Sequence, residues 1–153
     1  MYGVLMESAI GLLTLVEENG KLREIRFGSQ TADLELMETP LLAKTVKELT
    51  EYFSGERKQF TIPLDPRGTP FQLRCWDALL RIPYGETRTY REQAVMIGNP
   101  KACRAVGMGN HHNLLPIVIP CHRVIGANGK LTGYAGGLNI KELLLEIERM
   151  NFR

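Results

Sequence analysis

Cysteine is scarce in this chain of 153 residues, which holds only Cys75, Cys103 and Cys121, and neither cysteine nor histidine occurs before residue 75. An odd number of thiols without close spacing excludes a disulfide framework and points to a reducing compartment. His111, His112 and His122 stand at no ligand-like spacing from the cysteines, so no metal site is expected. Long apolar runs are missing as well. The longest, such as Leu114–Val118 and Leu143–Leu145, fall far short of the roughly 20 residues that span a bilayer. The start, Met1–Glu7, has no basic segment leading into an apolar one. A cytoplasmic protein without a membrane partner is the expectation.

An apolar fraction of 44% is enough for one ordinary domain or two small ones. The net charge of +2 hides an asymmetry. Residues 1–68 carry 8 Lys+Arg against 11 Asp+Glu, or −3, whereas residues 69–153 carry 11 against 6, or +5. A polyanion is drawn to the second part, although such an imbalance is also ordinary for a solvated surface.

The first third reads as sheet. Leu12–Val16 is apolar, Glu18-Asn19-Gly20 is a turn signal, and Leu22, Ile25 and Phe27 resume the apolar positions, which predicts a hairpin. Thr39 caps a helix with Pro40 at its first position and Leu42, Val46, Leu49 and Phe53 on one face, ended by Gly55. Ile62–Gly68, with two prolines and a glycine, continues no period and reads as a linker between an N-terminal domain, residues 1–68, and a C-terminal one, residues 69–153.

Beyond it come short, capped helices. Thr69-Pro70-Phe71-Gln72 and Thr89-Tyr90-Arg91-Glu92 are capping boxes, and Asn99-Pro100 is read as the cap of a helix from Lys101 to about Asn110. Two short helices around a Gly-Asn-Pro turn suggest a helix-turn-helix. Its second helix is rich in small residues, including Gly107 and Gly109, and carries Lys101 and Arg104. Glycine costs about 1 kcal/mol against alanine inside a helix, so close approach is implied; packing inside the protein explains the glycines equally well, but not the two cations, which suggest phosphate. A last helix is predicted to open at Asn139, with Glu142 closing a capping box, a Leu138/Leu143 staple, and Glu148 beside the apolar stripe. The fold class is α+β: a small sheet-and-helix domain followed by a mainly helical domain with a helix-turn-helix.

Ile117-Val118-Ile119 predicts a buried strand or tight loop leading to Pro120-Cys121-His122-Arg123-Val124. A cysteine at the end of a buried run is usually a small hydrophobe. Imidazole, guanidinium and a carboxylate nearby are, however, the groups that stabilise a thiolate. Free cysteine, with a pKa of about 8.5, needs such help at neutral pH, and His122 is a candidate base if a third group orients it.

Ile119–Val124 resembles the active-site motif of the O6-alkylguanine-DNA alkyltransferases. The likeness extends to Pro83–Glu86, Thr89-Tyr90, Gly98–Ala102, Arg104–Gly107, Asn113, Gly133–Leu138 and Lys141-Glu142. It covers residues 69–148, the first 68 matching only loosely. The resemblance implies irreversible, single-turnover transfer of an alkyl group, methyl above all, from O6-alkylguanine, and from O4-alkylthymine, to Cys121. It implies a catalytic set of Cys121, His122, Glu148, Tyr90 and Asn113. It places Arg104, Tyr90, Lys101, Ala102, Ala105 and Gly107 on DNA, with Arg104 replacing a flipped base. Tyr134, Val124, Ala135 and Gly136 would line the guanine pocket. No cofactor is expected, and the partner is double-stranded DNA containing the lesion, bound by a monomer without an obligate protein partner. A cysteine hydrolase and a redox-sensing DNA-binding regulator are the competing readings.

Overall fold

The structure is a computed structural model describing residues 1–153. It divides into two compact units, Met1–Pro66 and Arg67–Arg153.

The first unit is built on a four-stranded sheet of order β3-β2-β1-β4. Its strands are β1 (Tyr2–Ser8), β2 (Gly11–Glu18), β3 (Lys21–Phe27) and β4 (Glu35–Leu36). The β2–β3 hairpin lies where the turn signal put it: Asn19 and Gly20 both have positive φ, 55° and 77°, as a two-residue turn matched to strand twist requires. The sequence reading missed β1, which pairs antiparallel with β2 along its whole length, and β4, which pairs parallel with Tyr2 and Gly3. As the central strand, β2 buries Leu13, Thr14, Leu15 and Val16 completely.

Helix α1 (Pro40–Phe53) begins as expected, with Thr39 Oγ1 accepting from the Leu42 N–H at 3.1 Å. It lays Leu42, Leu49 and Tyr52, all fully buried, on the sheet side. Burying one such side chain contributes about 1.5–3 kcal/mol.

The segment read as a linker is in large part not one. The Leu22 N–H donates to Pro63 O and the Asp65 N–H donates to Leu22 O, both at 2.9 Å, which docks Ile62–Asp65 along β3. Ile62 is buried with it. Prolines block only their own donors, so this stretch still bonds through its carbonyls and the remaining amides.

The second unit contains α2 (Pro70–Leu80), β5 (Arg88–Thr89), α3 (Tyr90–Met96), α4 (Cys103–His111), a 3-10 turn at Cys121–Arg123, β6 (Val124–Ile125) and α5 (Leu138–Asn151). Both capping boxes form, Thr69 with Gln72 and Thr89 with Glu92. A buried amide pair joins α3 to α4: Gln93 Nε2 donates to Asn110 Oδ1 at 2.9 Å and Asn110 Nδ2 donates to Gln93 Oε1 at 2.7 Å. Gln93 Nε2 also reaches Cys75 O on α2, while Trp76 Nε1 donates to Gly109 O. A Cβ on Gly109 would stand 3.1 Å from Cys75 Sγ, so that glycine serves internal packing of α2 on α4.

Two helix starts differ from expectation. Helix α4 opens at Cys103 with Ala102 as its cap and no side-chain cap bond, because the chain first turns, the Ala102 N–H bonding Asn99 O at 3.0 Å. Lys101 therefore precedes the helix. Helix α5 is capped by Gly137, whose φ of 98° suits only glycine. Asn139 falls inside the first turn and forms no capping box, and Leu138 and Leu143 are exposed, not stapled. Ile117–Ile119 is buried, and of the two readings, strand or tight loop, it takes the second, as a turn.

Candidate active site

The approach to Cys121 is held from behind by Asn113. Its Nδ2 donates to Ile119 O and its Oδ1 accepts from the Leu115 N–H, each at 2.9 Å. Between these anchors Ile117 has a φ of 75°. For a β-branched residue that conformation stores roughly 1–3 kcal/mol, and it survives only where its surroundings over-determine it. Here the Val118 N–H bonds Pro116 O, the Cys121 N–H bonds Ile119 O, and Ile117 itself is 1% exposed. The strain delivers Cys121 as first residue of the 3-10 turn, half-buried, with its neighbours turned inward.

Those neighbours converge on α5. His122 Nε2 lies 2.6 Å from Glu148 Oε2. Arg123 grips the same carboxylate twice, Nε to Oε1 at 2.7 Å and Nη2 to Oε2 at 3.1 Å, and its Nη1 donates to Ile82 O at 2.7 Å. All three side chains are buried. Burial works to raise the Glu148 pKa, but hydrogen bonds and charge from His122 and Arg123 outweigh it and hold it at about 2. Burial pushes His122 the other way, below its ordinary value, against the opposing pull of Glu148.

At neutral pH the cluster is thus carboxylate, guanidinium and neutral imidazole. A neutral imidazole with a carboxylate at Nε2 carries its proton there. That leaves the lone pair on Nδ1, which is buried without a hydrogen-bond partner.

The Cys121 thiol differs from the expectation that its neighbours depress its pKa. Burial, the largest influence, raises it, and the Asn113 hydrogen bond and the Lys141 charge only partly offset that. The imidazole cannot help by charge because it is not charged. In the resting protein Cys121 is therefore a thiol, and the residue that follows it in the chain is a neutral imidazole.

Cys121 opens into a cavity of about 110 Å³. Its lining comes from Tyr90 of α3, from Gly107, Asn110 and His111 of α4, from Asn113 and Pro116 ahead of the 3-10 turn, and from Gly133, Tyr134 and Ala135 ahead of α5. Of the expected pocket residues, Tyr134 and Ala135 are in this wall, whereas Val124 is fully buried in β6 and Gly136 lies outside the lining. Arg104 and Ala105 are exposed on α4 and Lys101 is exposed just before it, with Ala102 half-buried at the cap. Asn110 and His111 were missed by sequence reasoning. Lys141 was seen only within a motif, although its place seven residues before Glu148 puts both on one face of α5.

Fold and site together define a class: a helix-turn-helix unit whose second helix walls a cavity presenting one cysteine, backed by a buried His-Glu-Arg cluster. Residues 70–150 match the family described as 6-O-methylguanine DNA methyltransferase, DNA binding domain, and residues 1–66 match the corresponding ribonuclease-like domain. The chain is 48% identical to a methylated-DNA–protein-cysteine methyltransferase of Methanosarcina acetivorans, over 97% of this chain and 98% of that protein. It is 46% identical to the constitutive enzyme of that name from Bacillus subtilis, over 99% and 98%. A crystal structure of Mycobacterium tuberculosis OGT in complex with DNA superposes with a TM-score of 0.91 at 49% identity, covering 99% of this chain and 94% of that one. The chain belongs to the methylated-DNA–protein-cysteine methyltransferase family.

Proposed function

We infer that this chain repairs DNA by transferring an alkyl group, methyl above all, from the O6 of guanine to Cys121 in a single irreversible turnover. The observation that carries the reading is a cavity-facing thiol followed in the chain by a His122 that is locked at Nε2 by Glu148 and has its Nδ1 unengaged. Cys121 gives its proton to Nδ1 through a water, and the thiolate displaces guanine in line. The Sγ–C bond forms as the C–O6 bond breaks. His122, briefly an imidazolium, is stabilised by Glu148, and the proton finally passes to the released guanine, so atoms and charge balance. The product thioether has no easy return. O4-alkylthymine offers the same leaving-group chemistry.

Tyr90 is half-buried in the cavity wall, which supports a role against the flipped nucleotide and its leaving base. A cavity recessed behind α4 cannot take a base that is still stacked, so the lesion is extruded from the duplex. Arg104, exposed on α4, fills the gap that it leaves, while Lys101, Ala102, Ala105 and Gly107 approach the backbone. Pocket contacts come from Tyr134 and Ala135, with Gly136 and Val124 supporting them. The protein acts as a monomer in the cytoplasm, where its three free cysteines remain reduced. No helix is long and apolar enough to cross a membrane.

The redox-sensor alternative asks for an exposed thiol of low pKa, and the raised pKa of Cys121 is the reverse. Intact-mass analysis after incubation with O6-benzylguanine tests the proposal. A benzyl adduct on Cys121, absent in Cys121→Ala, is the expected result; no adduct on the wild-type protein overturns it.

A further inference from the structure

We propose that Thr132 is a positioning residue that acts through Tyr90: its hydroxyl bonds the Tyr90 oxygen and so leaves the phenolic hydrogen for the base bound at Cys121. The inference rests on the alkyl-transfer reading and deepens it, adding to the reaction a residue that acts at one remove from the base.

The backbone places Tyr90 before any side-chain contact is made. Strands β5 and β6 pair in parallel, with Thr89 against Ile125, and the Thr89–Glu92 capping box starts α3 at Tyr90. The ring then lies close over α4, where a Cβ on Gly107 would stand 3.6 Å from Tyr90 Cε1. Tyr90 and Gly107 both line the cavity with Cys121. Such packing fixes the ring but not the direction of the hydroxyl hydrogen, which turns to suit its partners.

Thr132 supplies a partner. Its Oγ1 donates to Tyr90 OH at 2.9 Å. Its carbonyl accepts from Lys141 Nζ of α5 at 2.7 Å, and its Cγ2 would lie 3.5 Å from a Cβ on Gly126. Hydroxyl, carbonyl and methyl are thus each engaged, which holds a β-branched side chain to one rotamer although the residue is exposed. Gly133, Tyr134 and Ala135, which follow directly, line the same cavity as Tyr90.

A phenol offers one hydrogen and accepts two. With Thr132 filling an acceptor position, the Tyr90 hydrogen is left for an acceptor inside the cavity, and a hydroxyl that receives a hydrogen bond donates a stronger one. Guanine gains negative charge as the C–O6 bond breaks, so a donor aimed at the base contributes most in the transition state. The Thr132 hydroxyl therefore bears on the rate of transfer more than on binding.

The test is single-turnover benzyl transfer from free O6-benzylguanine to Cys121, followed by intact mass over a range of substrate concentrations. Wild type is compared with Thr132→Val, Thr132→Ser, Tyr90→Phe and the double variant of Thr132→Val with Tyr90→Phe. Valine keeps the shape and removes the hydroxyl, whereas serine keeps the hydroxyl. In Thr132→Val the saturating rate should fall roughly two- to tenfold, the effect of one lost hydrogen bond, with the half-saturating concentration nearly unchanged. Thr132→Ser should stay close to wild type. Tyr90→Phe should be slower than Thr132→Val, and adding Thr132→Val to it should change nothing further, because the group through which Thr132 acts is gone. The same loss from Thr132→Val in both backgrounds, or a loss confined to the half-saturating concentration, reduces Thr132 to a tie between segments and overturns the proposal. So does a Thr132→Val rate equal to that of wild type. Failure of wild type itself to form the adduct overturns the functional reading instead. Should Thr132→Val not fold, Thr132→Ala removes the same hydroxyl and is read by the same cycle.

Discussion

Glu148 receives bonds from His122, twice from Arg123, and from the Gly85 N–H at 3.4 Å, so it orients the base and neutralises a buried guanidinium at once. The sequence suggested only the first task. Replacing it by glutamine keeps the shape but strands Arg123, and breaking a buried pair from one side costs about 3–5 kcal/mol. The pKa of about 2, against an ordinary 4.5, leads to a similar figure, roughly 3 kcal/mol. A carboxylate whose folded pKa is depressed contributes stability that is complete above its unfolded value and lost as pH falls through the folded one. Glu148→Gln should therefore unfold about 3 kcal/mol more easily in urea at pH 7, and the deficit should shrink as pH falls from 4.5 towards 2. An equal deficit at pH 7 and pH 2.5 would take the carboxylate charge out of the account. Transfer to Cys121 should slow as well, because an amide cannot stabilise an imidazolium by charge.

Helix α4 divides its residues cleanly by face. Val106, Gly109 and Asn110 are buried, while Arg104, Ala105 and Met108 are exposed. Arg104→Ala should weaken repair in duplex DNA far more than benzyl transfer from the free base, since only the duplex requires extrusion. Equal losses in both assays would contradict the flipping role. The helix's two glycines separate in the same way. A Cβ at Gly107 would meet only the Tyr90 ring, at 3.6 Å, an ordinary contact. Gly107→Ala should accordingly raise stability by up to about 1 kcal/mol yet reduce duplex affinity, and a melt and a binding isotherm on one preparation check both. Elements announced by local chemistry were legible in the sequence: Thr39-Pro40, both capping boxes and the Asn19-Gly20 turn each specify backbone within four residues. Where a local signal competed with another, it misled. Asn139 resembles a cap, but Gly137 starts the helix earlier, and Pro100-Lys101 looks like a first turn that the chain completes only at Cys103. Strand β1 gives no alternation to read, and β4 is two residues held by Tyr2 and Gly3 from far upstream. At the site, adjacent Cys121 and His122 could be read directly. The pairing of Arg123 with Glu148, across 25 residues, and the reach of Lys141 to Thr132 depend on the tertiary fold and could not.

Charge is distributed between the two parts of the chain so that a polyanion meets mostly one of them, since residues 1–68 carry −3 and residues 69–153 carry +5. The helix-turn-helix and Cys121 belong to the positive part. Protein that neutralises phosphates releases condensed counterions, and the logarithm of affinity falls linearly with the logarithm of salt, with a slope of about −0.9 per phosphate on duplex DNA. Exposed Lys101, just before α4, is placed for one such contact. Removing it should make the slope shallower by roughly 0.9 and weaken lesion and undamaged duplexes alike, since a phosphate contact reads no base. Lys44 and Lys47, also exposed, lie on α1 of the negative part. Replacing both with alanine removes more charge than the single change at Lys101, yet it should leave the slope where it was, because net charge acts through long-range attraction while counterion release counts contacts. Affinities measured for the three proteins between 50 mM and 200 mM salt separate these effects. A slope that follows total charge, changing more for the α1 pair than for Lys101→Ala, would show that binding is not concentrated on the helix-turn-helix face and would remove Lys101 from it.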